Sequence, residues 1–467
     1  MIAMTLGEIA EATGGTLMRA DRAAVVSGLS YTDSREVQQG GIFFAKPGEV
    51  TDGHLFVPQA VEAGAALIVV DHPVDTDVAQ LVVADVVHAL GALATEVVSR
   101  VKRLGTLKII GVTGSNGKTT TKNLLRSILA PLAPTVAPRE SFNNEVGAPL
   151  TMLQVDGRTR YLVAEMGASA IGEIARLVRM AKPDVGVVLK VGLAHAGEFG
   201  GIEATQRAKS EMVTDLAASD VAVLNRDDPR VAAMAEKTAA RVVWFGLGDG
   251  CSVTATDVTI DAHGTAFTLH LPGGAAAPVR FNVLGEHHVM NALAAAAAAD
   301  ALGVTAEAIV DGLQSVQRAE RWRMELLGGG ERGITVINDA YNASPDSMSA
   351  ALKTLAQIAR PGQRTVAVLG EMAELGEYSG AEHDAIGLLA VRLNISQIVV
   401  VGAAARRMHI STINEGSWDG ESVYVDTPEQ AYDLVAQTAE DGDLVLVKSS
   451  KSAGLRFIGD RLGELFS

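Results

Sequence analysis

Residues 111–121 read GVTGSNGKTTT and directly follow the apolar residues LKII at positions 107–110. A strict phosphate-loop pattern requires glycine at the place that Val112 holds in this chain. The physical requirements are met nonetheless, because a glycine-rich turn before a helix presents backbone N–H groups and the positive end of the helix dipole to an anion. The stretch therefore predicts a strand, a phosphate-binding turn and a helix, the unit from which parallel α/β sheets are built.

The polar residues of this stretch are candidates for phosphate and metal binding. Lys118 supplies a point charge for the β- and γ-phosphates, and the hydroxyl of Thr119 or Thr120 is suited to Mg²⁺. An ordinary glycine-rich turn would not explain GKTTT, so we predict a phosphate site. Its residues are Gly114, Ser115, Asn116, Gly117, Lys118, Thr119 and Thr120.

The composition of the chain narrows its class. The 55 acidic and 39 basic residues give a formal charge of -16, which argues against a nucleic-acid partner. The single cysteine, Cys251, excludes an internal disulfide and fits a reducing cytoplasm. The start MIAMTLGEIAEATGG lacks the basic region of a secretory signal, and no apolar run reaches the ~20 residues that span a bilayer. We therefore expect a cytoplasmic protein without membrane insertion.

The length of 467 residues is too great for one ordinary core, and we predict an α/β fold of three domains. Residues 1–104 are expected to form a small N-terminal α/β domain. Residues 105–318 are expected to form a central, mainly parallel, doubly wound sheet that carries the phosphate loop. Residues 319–467 are expected to form a C-terminal Rossmann-like α/β domain.

Strands alternate with helices through the central part. The apolar segments LKIIGV, YLVAEM, VGVVLKV, VAVLN and VVWFG are separated by helix-like text, which is typical of a parallel sheet covered by helices. Between Cys251 and Leu284 the alternating segments CSVTATDVTI, AFTLHL and VRFNVL predict a small antiparallel sheet. An alanine-rich, closely packed helix around residues 292–299 closes this part.

The flanking parts show the same alternation. RTVAVLG, QIVVVG and DLVLVKSS each precede helix-like text and predict a second doubly wound unit, with a hinge in residues 317–333. Near the N-terminus, residues 67–70 and 81–87 are β-rich and precede helical text. The polar segments around the strand IFFA fit a ligand site or a solvated loop equally well.

Two residues at or just past the ends of strands are candidate metal ligands. Glu165 ends the strand YLVAE, and His195 lies just past the strand VGVVLKV. Ligands of open α/β sheets gather at the carboxyl ends of the strands, so we expect both beside the phosphate loop. A carboxylate is a natural ligand of Mg²⁺, whereas imidazole is a less usual one, and a loop histidine is often merely hydrogen-bonded.

Several residues have two local interpretations. Asn143 and Asn144 in SFNNEVGAP suit a turn that binds a polar ligand, or a turn that needs asparagine for its backbone. The amide of Asn291 can read an adenine edge or pack on a helix face. Lys209 falls on a predicted helix, where a lysine is nearly always a solvated charge.

Taken together, these segments resemble the Mur ligase family of ATP-dependent, amide-forming enzymes. The resemblance spans essentially the whole chain and depends on GVTGSNGKTTT, SFNNEVGAP, AEMGA, AHAGEFGG, AKSEM, GEHHVMNALAAAA, RWRME and NDAYNASPDSM, in that order. TDSR near the N-terminus and LGEMAELGEYSGAEHDAIG are most similar to the members that add D-alanyl-D-alanine.

The resemblance implies a ligase of cytoplasmic peptidoglycan precursor synthesis that uses ATP and Mg²⁺. The N-terminal domain would hold UDP-N-acetylmuramoyl-tripeptide, the central domain ATP, and the C-terminal domain D-alanyl-D-alanine. ATP would phosphorylate the terminal carboxylate of the peptide, and the amine of the dipeptide would attack the acyl phosphate. ADP and phosphate would be released, and a monomer is expected.

The resemblance also implies catalytic roles for Lys118, Glu165, His195 and Lys209. Lys118 would offset the repulsion between the attacking carboxylate and the γ-phosphate. Thr119 and Glu165 would bind the magnesium at the nucleotide, and His195 would help to bind a second ion. Lys209 matches the position at which relatives carry a carbamylated lysine, and its carbamylation is a hypothesis.

Further roles concern the nucleotide and the substrates. Asn291 would contact adenine, Arg323 a phosphate and Asp339 the ribose, so the site would be completed only when the C-terminal domain closes on the central one. The residues expected at the UDP-sugar peptide are Ser34, Arg35, Asn143 and Asn144.

The chain departs from the family pattern at two places. Lys190 stands where relatives usually have asparagine, and VKSSKS replaces a KGSR-type segment, so no role is carried over to Lys190 or to residues 449–452. Two alternatives stay open. One is a related ligase that adds lysine or diaminopimelate, or a folylpolyglutamate synthase, and the other is a nucleotide-dependent switch or scaffold. The third amino acid of the UDP-peptide, lysine or diaminopimelate, is also left open.

Overall fold

The computed structural model describes residues 1–467 apart from 49–50, 139–140, 195, 262–263, 317–319 and 416–417. The described residues form three large sheets, in the N-terminal, central and C-terminal parts of the chain, together with a three-stranded antiparallel sheet and a two-stranded antiparallel pair. Helices flank the large sheets, and the predicted α/β class is confirmed. No helix within the described ranges is long and apolar enough to cross a bilayer.

The N-terminal sheet has the strand order β2-β7-β6-β5-β4, and β1 pairs separately with β3. Its strands are β1 (Met4–Thr5), β2 (Thr16–Met18), β3 (Val25–Val26), β4 (Ser30–Tyr31), β5 (Ile42–Phe44), β6 (Leu67–Val70) and β7 (Ala79–Val82). The helices are α1 (Leu6–Thr13), α2 (Val57–Glu62) and α3 (Val86–Arg103). The strands β4 to β7 are parallel, β2 runs antiparallel to β7, and the separate pair of β1 and β3 is also antiparallel.

The prediction that residues 81–87 are β-rich was wrong for the second half of this segment. The strand β7 ends at Val82, and the helix α3 begins at Val86. Asp85 stops the strand, because its carboxylate accepts a hydrogen bond of 2.8 Å from the backbone N–H of His88 and so caps the helix. The apolar face of α3 then packs on α1 as well as on helices of the central part, which joins the two cores.

The central sheet is wholly parallel and has the strand order β13-β12-β11-β8-β10-β9. Its strands are β8 (Lys108–Thr113), β9 (Thr135–Val136), β10 (Tyr161–Glu165), β11 (Val185–Val188), β12 (Val221–Asn225) and β13 (Arg241–Phe245). The connecting helices are α4 (Lys118–Leu129), α5 (Gly147–Met152), α6 (Glu173–Ala181), α7 (Ala196–Phe199), α8 (Ile202–Thr214) and α9 (Pro229–Ala232).

The strand order places the phosphate loop at a topological switch point. After β8 the chain passes to β9 and β10 on one side of the sheet, and then to β11, β12 and β13 on the other. A crevice forms where the connections diverge, and this crevice is where open α/β sheets bind ligands.

A small antiparallel sheet and two helices complete the central part, as the alternating sequence predicted. They are β14 (Thr254–Asp261), β15 (Gly264–His270), β16 (Ala276–Phe281), α10 (Glu286–Ala301) and α11 (Ala306–Gln314). The alanine-rich residues 292–299 are fully buried in α10, which packs against α4. On α11, a Cβ added to Gly312 would lie 2.4 Å from Cα of Ile128, so this helix also approaches α4 closely. Both contacts hold the helix that follows the phosphate loop.

The C-terminal sheet has the strand order β17-β18-β22-β19-β20-β21. Its strands are β17 (Glu325–Gly328), β18 (Thr335–Asn338), β19 (Thr365–Leu369), β20 (Gln397–Val401), β21 (Glu421–Val425) and β22 (Leu444–Lys448). Its helices are α12 (Pro345–Ile358), α13 (Ser379–Arg392), α14 (Arg406–Asn414), α15 (Pro428–Thr438) and α16 (Leu455–Leu465).

The predicted hinge at residues 317–333 differs from the structure in one respect. Residues 317–319 lie outside the described ranges. The segment ELLG is not a linker, because it forms β17, which pairs antiparallel with β18 at the sheet edge. Sequence periodicity did not reveal this strand, because it is short and half of its residues are exposed.

Candidate active site

A cleft of about 960 Å³ opens at the switch point of the central sheet. One wall consists of the phosphate loop, the residues after β10 to β12, and the start of α10. The other wall comes from the C-terminal part, between β18 and the first turn of α12, with Lys448 from the end of β22. The cleft therefore needs both parts of the chain.

The phosphate loop adopts a backbone that its two glycines permit. Gly114 has φ 154° and Gly117 has φ 85°, and α4 starts directly after Gly117. A Cβ on Gly117 would lie 2.2 Å from Oδ1 of Asn291, so the loop can pass α10 only without a side chain there. Lys118 folds back on the loop and donates a hydrogen bond of 2.8 Å to the carbonyl of Gly114. Burial lowers the pKa of Lys118, and the charge of Glu165 partly opposes this.

The side chain of Glu165 has a carboxylate oxygen that is free to bind a magnesium ion. Its Oε1 accepts hydrogen bonds from Asn143 at 2.8 Å and from Thr119 at 3.3 Å. Its Oε2 is buried and has no hydrogen-bond partner among the residues that the structure describes. An unpaired carboxylate oxygen beside a hydroxyl in a polar cleft is the donor set that Mg²⁺ prefers.

Residues of the C-terminal part reach the phosphate loop. Nη2 of Arg323 lies 3.2 Å from Oγ1 of Thr119 and 3.4 Å from Oγ of Ser141, and its guanidinium stacks 4.2 Å from the centre of the Tyr341 ring. The aromatic face fixes the side chain while its cationic end points toward the loop.

Asp339 is fixed by a lysine that the sequence analysis did not select. Lys448, buried at the end of β22, donates to Oδ2 of Asp339 at 2.6 Å and to the carbonyl of Asn342 at 3.1 Å. The other carboxylate oxygen, Oδ1, accepts from the backbone N–H of Met324 at 3.0 Å. The carboxylate is thus held at the cleft wall in one orientation.

The start of α10 supplies uncharged polar groups to the cleft. Burial lowers the pKa of His287 to about 4, and burial followed by the neighbouring His287 lowers that of His288 far below its ordinary value. Nδ2 of Asn291 lies 3.5 Å from Nδ1 of His288. At neutral pH this end of the cleft therefore offers neutral donors and acceptors, which suit a nucleobase better than a phosphate.

Lys209 is not the solvated charge that its helical position predicted. The residue is only 2% exposed, and its ammonium lies 5.2 Å from the centre of the Phe199 ring. Burial, reinforced by repulsion from Lys118, lowers the pKa of Lys209 to about 7. Helical spacing gave no warning, because the burial comes from packing of α8 against other elements, among them α6, α7 and β11.

The remaining predicted site residues do not all lie at the cleft. Ser34 is buried in the N-terminal part, where its hydroxyl donates to Oε1 of Gln59 at 2.7 Å, and Arg35 pairs with Asp33 on the surface. Oδ1 of Asn144 accepts hydrogen bonds from the backbone N–H groups of residues 146 and 147, which holds the turn before α5. His195 lies outside the described residues.

Besides Lys448, the cleft is lined by other polar residues that the sequence analysis did not select, among them Ser141, Lys190 and Tyr341. Lys448 and Lys190 shared a signal, because each is a lysine at the carboxyl end of an apolar strand. Ser141 and Tyr341 carried no local signal, since both lie in loops and reach the cleft only by tertiary folding.

Comparison with known proteins identifies relatives along the whole chain. The model of the Mur ligase middle domain matches residues 112–299, that of the Mur ligase glutamate ligase domain matches residues 322–451, and that of the Mur ligase family catalytic domain matches residues 26–108. The UDP-N-acetylmuramoyl-tripeptide--D-alanyl-D-alanine ligase of Mycobacterium bovis is 43% identical and covers 99% of this chain and 98% of its own length.

Solved structures agree with the sequence comparison. MurF from Acinetobacter baumannii superimposes with a TM-score of 0.88 at 34% identity, over 99% of both chains. MurF ligase from Thermotoga maritima, solved in complex with ADP, gives a TM-score of 0.80 at 26% identity, over 94% of this chain and 98% of the other.

Proposed function

Because this chain belongs to the Mur ligase family, we propose that it joins D-alanyl-D-alanine to UDP-N-acetylmuramoyl-tripeptide and converts ATP to ADP and phosphate. The resemblance that the sequence predicted is confirmed, since full-length relatives of this chain carry that activity in their names. The observation that carries the proposal is the cleft at the switch point, where a phosphate loop and an unpaired carboxylate meet an arginine from the C-terminal part.

The proposed reaction has two steps. The terminal carboxylate of the UDP-tripeptide attacks the γ-phosphorus of ATP, which forms an acyl phosphate and releases ADP. The uncharged amine of D-alanyl-D-alanine then attacks the acyl carbon, the amide bond forms, and phosphate leaves with the bonding electron pair while the amine loses its proton to solvent. Lys118 and Arg323 supply the positive charge that brings the carboxylate and the γ-phosphate together.

The magnesium ion fits beside the phosphate loop. Thr119 and Glu165 would hold it, as the hydroxyl and the unpaired Oε2 support. The bound ion would supply positive charge for the phosphates. We assign His195 and Lys209 to a second cation, following the resemblance.

The nucleotide and substrate roles follow the same pattern. Asn291 contacts the adenine, Arg323 a phosphate and Asp339 the ribose. Ser34, Arg35, Asn143 and Asn144 are assigned to the UDP-sugar peptide. Residues 1–104 bind that substrate, residues 105–318 bind ATP, and residues 319–467 bring in the dipeptide. The enzyme acts in the cytoplasm as a monomer.

Carbamylation of Lys209 is a further part of the proposal. The step joins the uncharged ε-amine to CO₂ and releases one proton, and it gives an anion that positions Mg²⁺. The pKa of about 7 supports it, because much of the amine is uncharged at neutral pH.

Depleting CO₂ is expected to lower the activity several-fold, and bicarbonate is expected to restore it. A carbon-13 NMR signal from labelled bicarbonate should report the carbamate directly. The Lys209→Met protein should lack the signal, whereas Lys237→Met, which changes a lysine of a nearby short helix, should keep it. An unmodified amine in bicarbonate-grown crystals with metals bound would count against the carbamate.

The overall function is tested by product mass. The protein is incubated with ATP, Mg²⁺, D-alanyl-D-alanine and, separately, the lysine and the diaminopimelate UDP-tripeptide, and single amino acids are offered in parallel. We expect the pentapeptide product and phosphate release only when UDP-tripeptide and dipeptide are both present. Product with a single amino acid alone would indicate the related ligases, and phosphate release without either substrate would indicate a switch.

A further inference from the structure

The C-terminal part docks on the phosphate loop through a charged contact. Lys190 lies two residues beyond the end of β11, and its Nζ is 2.7 Å from Oδ1 of Asp346. Asp346 belongs to the first turn of α12, where the helix dipole favours a negative charge. The pair therefore connects the central sheet with the C-terminal part, at the cleft.

Neighbouring contacts hold the same two segments. The hydroxyl of Ser344, which caps α12, donates to Oδ1 of Asn116 in the phosphate loop at 3.1 Å. A Cβ added to Gly192 would lie 2.2 Å from Oδ2 of Asp346, so α12 approaches the backbone here as closely as a glycine allows.

The phosphate loop is itself attached to the segment that carries Lys190. The backbone N–H of Ser115 donates to the carbonyl of Lys190 at 2.8 Å, and the N–H of Gly192 donates to Oγ of Ser115 at 2.9 Å. A shift of α12 relative to Lys190 therefore acts on the loop through short, directional bonds.

The charge balance at this contact depends on the lysine. Asp346 raises the pKa of Glu382, a second cleft residue, in addition to the larger effect of burial. Of these two carboxylates, Asp346 is the one that pairs with Lys190. The side chains of the pair are 45% and 33% exposed, and a pair so exposed adds little to folding stability. Its effect should instead appear in the relative placement of the two parts at the cleft.

We propose that Lys190 and Asp346 are positioning residues that hold the C-terminal part against the phosphate loop, so that Arg323 and Asp339 meet the nucleotide. Lys190 is suited to this role because it forms an ion pair with Asp346 across the cleft. This inference rests on the proposed ligase function.

A double-mutant cycle tests the pair in the full-length protein. The variants are Lys190→Gln, Asp346→Asn and the two combined. The control is Arg158→Gln, which removes an exposed ion pair within the central part. The turnover of ligation, the KM values, ADP affinity in Mg²⁺, and the radius of gyration by small-angle X-ray scattering are measured for each variant, with thermal melting as a check on folding.

Each single variant is expected to lose about tenfold in kcat, and the double variant no more than either single, since a small misplacement of reacting groups has effects of this size. The scattering of all three variants should show a larger radius with ADP than the parent protein, at unchanged melting temperature, and the control should match the parent. A purely structural role would lower the melting temperature without this coupling.

Two results would overturn the inference. If Lys190→Gln weakens ADP binding while Asp346→Asn does not, Lys190 is a phosphate ligand and not a positioning residue. If the losses in kcat multiply in the double variant, the two residues act independently. Failure of the parent protein to form product would instead reject the proposed ligase function, and the scattering measurement would still report on the contact.

Discussion

The Lys118→Ala protein is expected to form product about 10² to 10³ times more slowly than the parent protein, the loss typical of removing one group that stabilises transition-state charge. Lys118 starts the helix after the phosphate loop, and its ammonium bonds the loop carbonyl of Gly114 at 2.8 Å. The phosphates of bound ATP would replace this carbonyl as the hydrogen-bond acceptor of the ammonium. Product formation by mass spectrometry, at saturating ATP and Mg²⁺, measures the effect.

The stability of the same variant separates catalysis from folding. Burial lowers the pKa of Lys118, which means that the folded state disfavours its charged form. Alanine removes the free-energy cost of burying this charged amine, so the melting temperature should not fall. Lys108→Ala, which alters an exposed lysine at the start of β8, the strand that leads into the phosphate loop, is the control and should keep full activity. An undiminished rate for Lys118→Ala would refute the proposed role of the phosphate loop.

The Glu165→Gln protein is expected to lose about 10²-fold in turnover and to need a much higher Mg²⁺ concentration. Glutamine has the same shape, and its carbonyl can keep the hydrogen bonds from Asn143 and Thr119. Its NH₂ group, however, would occupy the position of the unpaired Oε2 and cannot bind a cation. Activity is measured as a function of Mg²⁺ concentration, and Mg²⁺-dependent ADP binding is measured by calorimetry.

The control for this variant is Glu307→Gln, which changes an exposed carboxylate in the first turn of α11. We expect its Mg²⁺ dependence to match that of the parent protein. Unchanged Mg²⁺ dependence in Glu165→Gln would show that the metal is held elsewhere, even if turnover fell.

Local sequence predicted features that depend on neighbouring residues. The phosphate loop required only glycines that permit φ 154° and φ 85°, followed by a helix start with Lys118. The strand that ends at Glu165 was readable from five successive residues. The error at residues 81–87 also came from local sequence. Apolar residues are typical of a strand and of a buried helix alike, and the helix cap at Asp85 was not recognised.

Long-range contacts limited the prediction of the site. The helix pattern predicted a solvated Lys209, whereas neighbouring elements bury it and lower its pKa to about 7. Lys190 was recognised only as a departure from the family, since its partner Asp346 is 156 residues away. Lys448 reaches Asp339 across 109 residues, and neither segment alone indicates the pair.

The sequence by itself determined the α/β class, the phosphate loop and the family, because each depends on residues that are near one another along the chain or on motifs in a set order. Only the tertiary structure decided which charges are buried, which carboxylate oxygen is left unpaired, and which side chains of the C-terminal part face the loop. The physical reason is that burial and charge pairing depend on how distant elements pack, and the strand order places β8 between β11 and β10, two strands that both follow it in the chain.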